Sequence, residues 1–530
     1  MVFGYAASAN CWEPFRRAIE VMSRVVFKRI GNDSMMHQEY LDMLEYDELP
    51  PKGTKFTRAK PCSINKGYVD ETGHEKPFGA RIYVDDSLLC APCSQMKRLL
   101  RSMIEAIFIL CGRPDIARRP CPLAQDKWVG MRVAHEKILL GLYYNTRGLI
   151  VGIPKDYIVE VHELLTSTWH RNRKSFTLSE LQKLLGKVAR LGMACNWVYH
   201  LLSHLYQSTA FVISKNTEHL ENSSKNFREH MKRIKELRRS QATIESHENI
   251  ARINFHLKKG ARMIHAVEEK YFINKDMKAE IDFLRQVTDP DSGLEWTSPI
   301  AHKIPRNPNW KSWSDSCLSA GGGYSIEMRF VWYLIWSQEI YKRTLACIAA
   351  NSELLISINV LEFYSVIINY CAALTVIEGD PNFTDDPWPV LLAWCDNTSA
   401  VRWIRHTCLK SAAGHALGRF FCMLLIDERL GINSKWISTH DNFIADEISR
   451  IREAWLKTIS PDHPLTPHPP VDFQSILQKH PDLQKCQRFV PSSELLSVLD
   501  TCVLKGCCPS LEDVKTLKQR GLGKLISLDL

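Results

Sequence analysis

Ser314-Asp315-Ser316, followed four residues later by Ala320-Gly321-Gly322-Gly323-Tyr324, decides how the second half of this 530-residue chain is read. The spacing places a carboxylate at the end of a strand, ahead of a glycine turn into a second strand. Three further acids follow in similar settings. Asn359-Val360-Leu361-Glu362 opens an apolar helix, and Leu392-Ala393-Trp394-Cys395-Asp396 ends a strand before the helix announced by Asn397-Thr398-Ser399-Ala400. Asn442-Phe443-Ile444-Ala445-Asp446 lies on a helix that runs to Ser449-Arg450. The four acids are 47, 34 and 50 residues apart, which no single turn motif requires. Each alone reads as a helix cap or a solvated strand end. As an ordered quartet they are what a two-metal phosphodiesterase needs. Carboxylates from distant segments converge to hold two Mg2+ or Mn2+ ions, which activate a water and stabilise the leaving 3′ oxygen.

Outward from this quartet the chain changes texture several times. From Trp310 it is strand-rich, then alternates strands with helices to about Glu453, an α/β pattern. A His/Pro-rich linker at 461–470 and a tail of short helical pieces come after it. Before it, Lys225 to Arg262 holds eleven basic residues, among them Lys232, Arg233, Lys235, Arg238 and Arg239, against four acidic ones. Such a helical stretch can neutralise phosphates, or it can be a solvated face. Thr177 and Glu180 form a capping-box pattern that starts a helix running to Gly192, with a second apolar helix at 196–212. Residues 127–133 and 137–144 read as a hairpin, 12–28 as an amphipathic helix, 94–111 as an apolar helix, and 45–78 as a loop or solvated insertion. Ala80 to Leu89 reads as two short strands meeting at a tight acidic turn, Tyr83-Val84-Asp85-Asp86. Paired carboxylates there are good turn residues, and they are also hard ligands for divalent metal.

Composition narrows the classes. Lys and Arg exceed Asp and Glu by nine, and 45% of residues are hydrophobic, which disfavours disordered, collagen-like and coiled-coil readings. No apolar stretch reaches the ~18–20 residues of a bilayer span, so no membrane partner is expected. Seventeen cysteines are too dilute for a disulfide scaffold. Cys90 and Cys93 have metal-like spacing, but no second pair completes a zinc site. With no secretory segment at the start, the thiols read as reduced and the protein as intracellular, in cytoplasm or nucleus.

Four segments in order resemble retroelement reverse transcriptases. Tyr83-Val84-Asp85-Asp86 resembles their catalytic hairpin, Phe3-Gly4 with Tyr5 to Trp12 their nucleotide-pocket segment, and Lys127-Trp128-Val129-Gly130 the primer grip. Leu181 to Lys187 is similar to a thumb helix. The acidic quartet resembles the retroelement ribonuclease H, in the version carried by DIRS-like elements. The resemblance implies an α+β polymerase palm remnant with a helical thumb, followed by an α/β ribonuclease H-like domain. It divides the chain into palm (1–120), primer grip and thumb (121–215), basic connection (216–308), nuclease (309–455) and linker with tail (456–530).

It further implies metal ligation by Asp85 and Asp86 and by Asp315, Glu362, Asp396 and Asp446, with two Mg2+ or Mn2+ ions per site. Phe3, Gly4, Tyr83, Trp128 and Gly130 would touch nucleotide or primer, while Asn397 and Ser399 would position substrate. Lys232, Arg233, Lys235, Arg238 and Arg239 would contact a primer–template backbone or an RNA–DNA hybrid. The family's Asp-bearing strand ahead of Phe-Gly, and its fingers, have no counterpart before Phe3, so polymerisation is expected to be lost and hybrid cleavage retained. The family's loop His falls at His440, only two residues before Asn442. An inactive nucleic-acid-binding remnant and a host nuclease of similar architecture stay open as alternatives.

Overall fold

The computed structural model describes residues 8–46, 79–83, 86–91, 93–113, 131–240, 247–303, 307–350, 356–380, 382–404, 411–426, 428–453 and 473–528. The chain forms two compact units, Met1–Val151 with Lys303–Asn307, and Gly152–His302 with Pro308–Leu530.

In the first unit, α1 (Ser8–Arg29) packs on α2 (Cys93–Cys111), burying Ile19 against Met103 and Ala106. Strands β1 (Gly79–Tyr83) and β2 (Asp86–Cys90) pair antiparallel, with Tyr83 opposite Asp86. The expected acidic hairpin therefore forms. Its tip, Val84 and Asp85, lies outside the described residues. The hairpin expected between 127–133 and 137–144 is not the one observed. β3 (Glu136–Leu139) pairs with β4 (Leu142–Asn145) instead, across Leu140 and Gly141, both at positive φ. That geometry suits the tight two-residue turn of a twisted ribbon. Arg132–Val133 pairs in parallel with Glu45–Tyr46, which draws the start of the supposed thumb segment into this unit.

The second unit opens with helices. Thr177 accepts from the Glu180 backbone while Glu180 reaches back to the Thr177 N–H, so the capping box starts α4 (Leu178–Ala194), which follows α3 (Lys155–Glu163). A short 3-10 turn, Asn196–Leu201, leads into α5 (Ser203–Ser223). The basic segment folds as α6 (Lys225–Ser240) and α7 (His247–His265), followed by α8 (Lys275–Thr288).

The remainder is built on one sheet. β5 (Trp310–Ser316), β6 (Ala320–Ser325) and β7 (Phe330–Ile335) form an antiparallel meander. Helices α9 (Gln338–Ala350) and α10 (Ile358–Gly379) then lead to β8 (Val390–Cys395), which lies parallel to β5. Next come α11 (Thr398–Trp403), α12 (Ala412–Leu425), β9 (Gly431–Trp436) parallel to β8, and α13 (Phe443–Ser449). The order is β9-β8-β5-β6-β7. The tail departs from the expected run of short helical pieces. β10 (Gln487–Pro491) pairs with β7 and β11 (Gly523–Ser527) with β10, so two tail strands extend the sheet to seven. Between them α15 (Ser493–Lys505) is tied to the core by Tyr364, whose hydroxyl donates to Asp500 at 3.1 Å. α14 (Phe473–Lys479) and α16 (Leu511–Arg520) complete the tail.

The three glycines lie within β6 and make no turn; the turn is Cys317–Ser319. Their role is close packing. A Cβ on Gly321 would meet Ser365 and Trp336, and one on Gly323 would meet Asn369, both on the α10 side. On Gly322 it would sit 2.5 Å from Ile448 and 2.9 Å from the Ser449 backbone nitrogen. Alternate strand residues face opposite sides, so the absent side chains let α10 press on one face of the sheet and α13 on the other.

Contrary to the expectation that no apolar stretch is long enough to span a bilayer, α10 is long and apolar enough to cross a membrane, but 89% of its most apolar stretch is buried. Apolarity all round a helix is what burial on every side requires. Its polar groups are satisfied inside: Asn369 Oδ1 accepts from Trp332 Nε1 at 2.6 Å, and Tyr370 donates to the Leu430 carbonyl.

Candidate functional site

The four acids of the second unit come from β5, α10, the end of β8 and α13. The parallel register pairs Trp313 with Trp394, so the two strand ends lie side by side, and Asp315 and Asp396 at those ends are close enough to repel each other. Glu362, in the second turn of α10, approaches from one face of the sheet. Its carboxylate oxygen, the Cys395 Sγ and an Asp396 oxygen all lie within 4.8 Å of one another. Asp446 approaches from the opposite face on α13.

Burial and like charge set the electrostatics. Asp315 and Glu362 are only 3% and 4% exposed, whereas Asp396 and Asp446 are half-buried at the rim. Desolvation, then repulsion from Asp396 and Asp446, pushes the Asp315 carboxyl up to about 6, against the pull of a Ser449 hydrogen bond. Burial first, and then Asp315 and Asp396, hold Glu362 well above the ordinary carboxylate range. Carboxylates held together without a counter-cation behave this way.

A second layer of side chains fixes the acids. Ser449 donates to Asp315 Oδ2 at 2.6 Å, Thr439 to Asp396 Oδ2 at 2.8 Å, and Arg450 Nε to Asp446 Oδ1 at 2.7 Å. Trp436 Nε1 donates to the Asp396 carbonyl at 2.8 Å, and Asn442 Nδ2 to the Ser314 carbonyl at 3.1 Å. Asn397 caps α11, accepting from the Ser399 and Ala400 backbone nitrogens, and its amide donates to Asn359 Oδ1 at 2.7 Å. Both Asn397 and Ser399 are thus engaged in starting the helix after Asp396. Residue reading missed Thr439, Asn359 and Cys395 as neighbours of the acids. Only Asn359 left a signal, three residues before Glu362 at the helix start. His440 is exposed in the loop between β9 and α13.

The donor set suits hard divalent ions: Glu362 and Asp396 lie within one ion's reach of each other, and Asp315 and, through it, Asp446 interact with them electrostatically, Asp396 and Asp446 being open to solvent. Cys395 adds a thiol whose ionisation burial and Glu362 oppose, so it stays protonated.

The other expected site is described only in part. Phe3, Gly4, Asp85, Trp128 and Gly130 lie outside the described residues, as do the side chains of Tyr83, Asp86 and Arg239. Lys232, Arg233, Lys235 and Arg238 are all exposed on α6, whose Phe227 and Ile234 are buried. Lys232 and Arg233 both approach Glu236, at 3.9 and 3.2 Å.

No protein-family model matches the chain, and no curated protein matches it either.

Proposed function

We propose that the second unit is a metal-dependent ribonuclease H-type phosphodiesterase, within a chain of the retroelement reverse transcriptase–ribonuclease H kind. The observation that carries this reading is the meeting of Asp315, Glu362, Asp396 and Asp446 around the adjacent ends of β5 and β8. The β9-β8-β5-β6-β7 order, with β6 alone antiparallel among the five, supports it as the frame that such a site needs.

The substrate in this reading is the RNA strand of an RNA–DNA hybrid, and two Mg2+ or Mn2+ ions would be held by the four acids. When bound they supply Lewis-acid stabilisation of the scissile phosphate and its leaving oxygen. The chain's own groups preorganise that chemistry. Ser449, Thr439 and Arg450 fix three carboxylates in place, so little reorganisation remains at the moment of reaction. Asp396 and Asp446, at the rim, face the side from which a phosphodiester can enter. The exposed cations of α6 suit a nucleic-acid backbone, whose phosphates position without specifying sequence.

The test is cleavage of a labelled RNA–DNA hybrid by the full chain with Mg2+ or Mn2+. Hybrid-specific cutting that Asp315→Asn and Asp396→Asn each abolish is the expected result. Cutting that persists unchanged in both variants overturns the reading.

A further inference from the structure

We propose that α7 carries a binding stripe for single-stranded nucleic acid, in which Phe255 stacks on an unpaired base while Lys258, Lys259 and Arg262 hold the phosphates beside it. This deepens the proposed function and rests on it only in taking nucleic acid as the ligand.

The stripe follows from how α7 is seated. Its inner side is pressed onto α6: Ile253 and Gly260 are buried, and a Cβ on Gly260 would lie 2.7 Å from the Met231 methyl. His256 Nδ1 meets His230 Nδ1 at 2.9 Å across the same seam. The opposite side is therefore fixed outward. Phe255, Lys259 and Arg262 follow at steps of four and three residues, which aligns them along ~10 Å of one helix face. All three are exposed, and so is Lys258 beside them.

Charge and shape then select the occupant. Glu248 precedes Arg252 by four residues at the start of α7, but no acidic residue lies within four positions of Lys258, Lys259 or Arg262, whereas the neighbouring α6 stripe has Glu236 bridging Lys232 and Arg233. The Lys258–Arg262 end of α7 is thus the less compensated of the two, and its complement is a polyanion. Phe255 is 55% exposed beside these cations, with Lys259 Nζ 5.8 Å from its ring centroid. Exposing an aromatic ring among charges costs hydration free energy unless a partner covers it. A duplex hides the faces of its bases, but a single strand offers them, and every base has one to stack. One ring beside such cations is a stacking platform. An anionic lipid surface would call for a broader apolar face.

The experiment uses the full chain carrying Asp315→Asn, so that no ligand is cut, and reads the anisotropy of fluorescein-labelled oligo(U) RNA and oligo(dT) DNA. A blunt RNA–DNA hybrid and phosphatidylserine–phosphatidylcholine vesicles are the comparison ligands. Phe255→Ala is expected to weaken both single strands by about 5- to 30-fold and the hybrid by less than about twofold. Phe255→Trp is expected to restore binding, with its fluorescence quenched by the oligonucleotide. Paired Lys258→Ala and Arg262→Ala changes are expected to reduce the slope of log affinity against log salt by about 1 to 2. The proposal is overturned if Phe255→Ala leaves single-strand binding unchanged or weakens the hybrid equally. Vesicle binding that depends on Phe255 while oligonucleotide binding does not overturns it as well. Because binding is read in the Asp315→Asn background, absence of hybrid cleavage by the native chain would sink the nuclease reading and leave this one standing.

Discussion

Ser449 Oγ donates to Asp315 Oδ2 at 2.6 Å, the contact that ties α13 to β5 through the carboxylate itself. The same hydroxyl lies 2.9 Å from the Asp446 carbonyl, a second acceptor for its one proton, in the last turn of the helix bearing Asp446. Ser449→Ala is expected to lower hybrid cleavage by about 10- to 100-fold, mostly through weaker metal affinity, since outer-shell partners orient ligands. A metal titration of the cleavage rate checks this: the midpoint shifts to higher Mg2+ and the saturated rate recovers part of the loss. An unchanged midpoint with a uniformly reduced rate would count against the role.

Gly322 is the complementary case, a residue whose lack of a side chain seats α13. Its Cβ would be 2.5 Å from Ile448 and 2.9 Å from the Ser449 nitrogen, and a backbone atom cannot rotate away. Gly322→Ala is expected to cost roughly 1–3 kcal/mol of stability, as over-packing does. It should also push Asp446 and Ser449 off the site. Thermal unfolding and cleavage measured together check it, and activity should fall further than Ser449→Ala alone.

Much of this site was legible in the sequence, because the acids sit at strand ends and helix starts that local pattern marks. Asp396 falls directly after an apolar run and before the Asn397 cap, and Glu362 lies in the second turn of an all-apolar helix. The glycine run misled, since Gly-Gly-Gly after a short polar stretch reads as a turn by composition. Its true reason, helices approaching from both faces, is a tertiary fact with no local trace. The tail strands were missed for the same cause: Gln487–Pro491 is a strand because β7 offers it a partner more than 150 residues away in sequence. Thr439 and Cys395 could be placed only once the strands were ordered.

Asp315 gives a pH signature in metal-free buffer. Its folded-state pKa, about 6, lies above the ordinary value near 3.9, so the folded chain holds the proton more tightly than the unfolded one. Protonation therefore stabilises the fold, and stability falls as pH rises from about 4 to about 6. The full cost at pH 7 is roughly 2–3 kcal/mol. Asp315→Asn removes that charge while keeping an acceptor for Ser449, so it is expected to raise the Tm in EDTA by about 2–5 °C at pH 7 and little at pH 4. Differential scanning calorimetry across that range decides it. Cleavage in Mg2+ should fall by roughly 100-fold or more in the same variant, giving opposite signs for stability and activity.

His415 supplies a term of the other sign, remote from the acids. It is 6% exposed on α12, its Nδ1 3.1 Å from His204 Nε2, and burial, then His204 and Arg419, lower its pKa to about 3. The folded chain thus keeps this imidazole neutral where the unfolded chain, near 6.5, would take up a proton. The stability it contributes is fully present above pH 6.5 and is lost progressively as pH falls toward 3. His415→Gln cannot take up that proton, and so is expected to flatten the decline in Tm between pH 6.5 and pH 4.5 relative to the native chain, with hybrid cleavage at pH 7.5 unchanged. The two groups act in opposite directions over overlapping ranges, so the double variant with Asp315→Asn separates them. Its Tm should vary less between pH 4 and pH 7 than that of either single variant, and a slope equal to that of Asp315→Asn alone would remove His415 from the account.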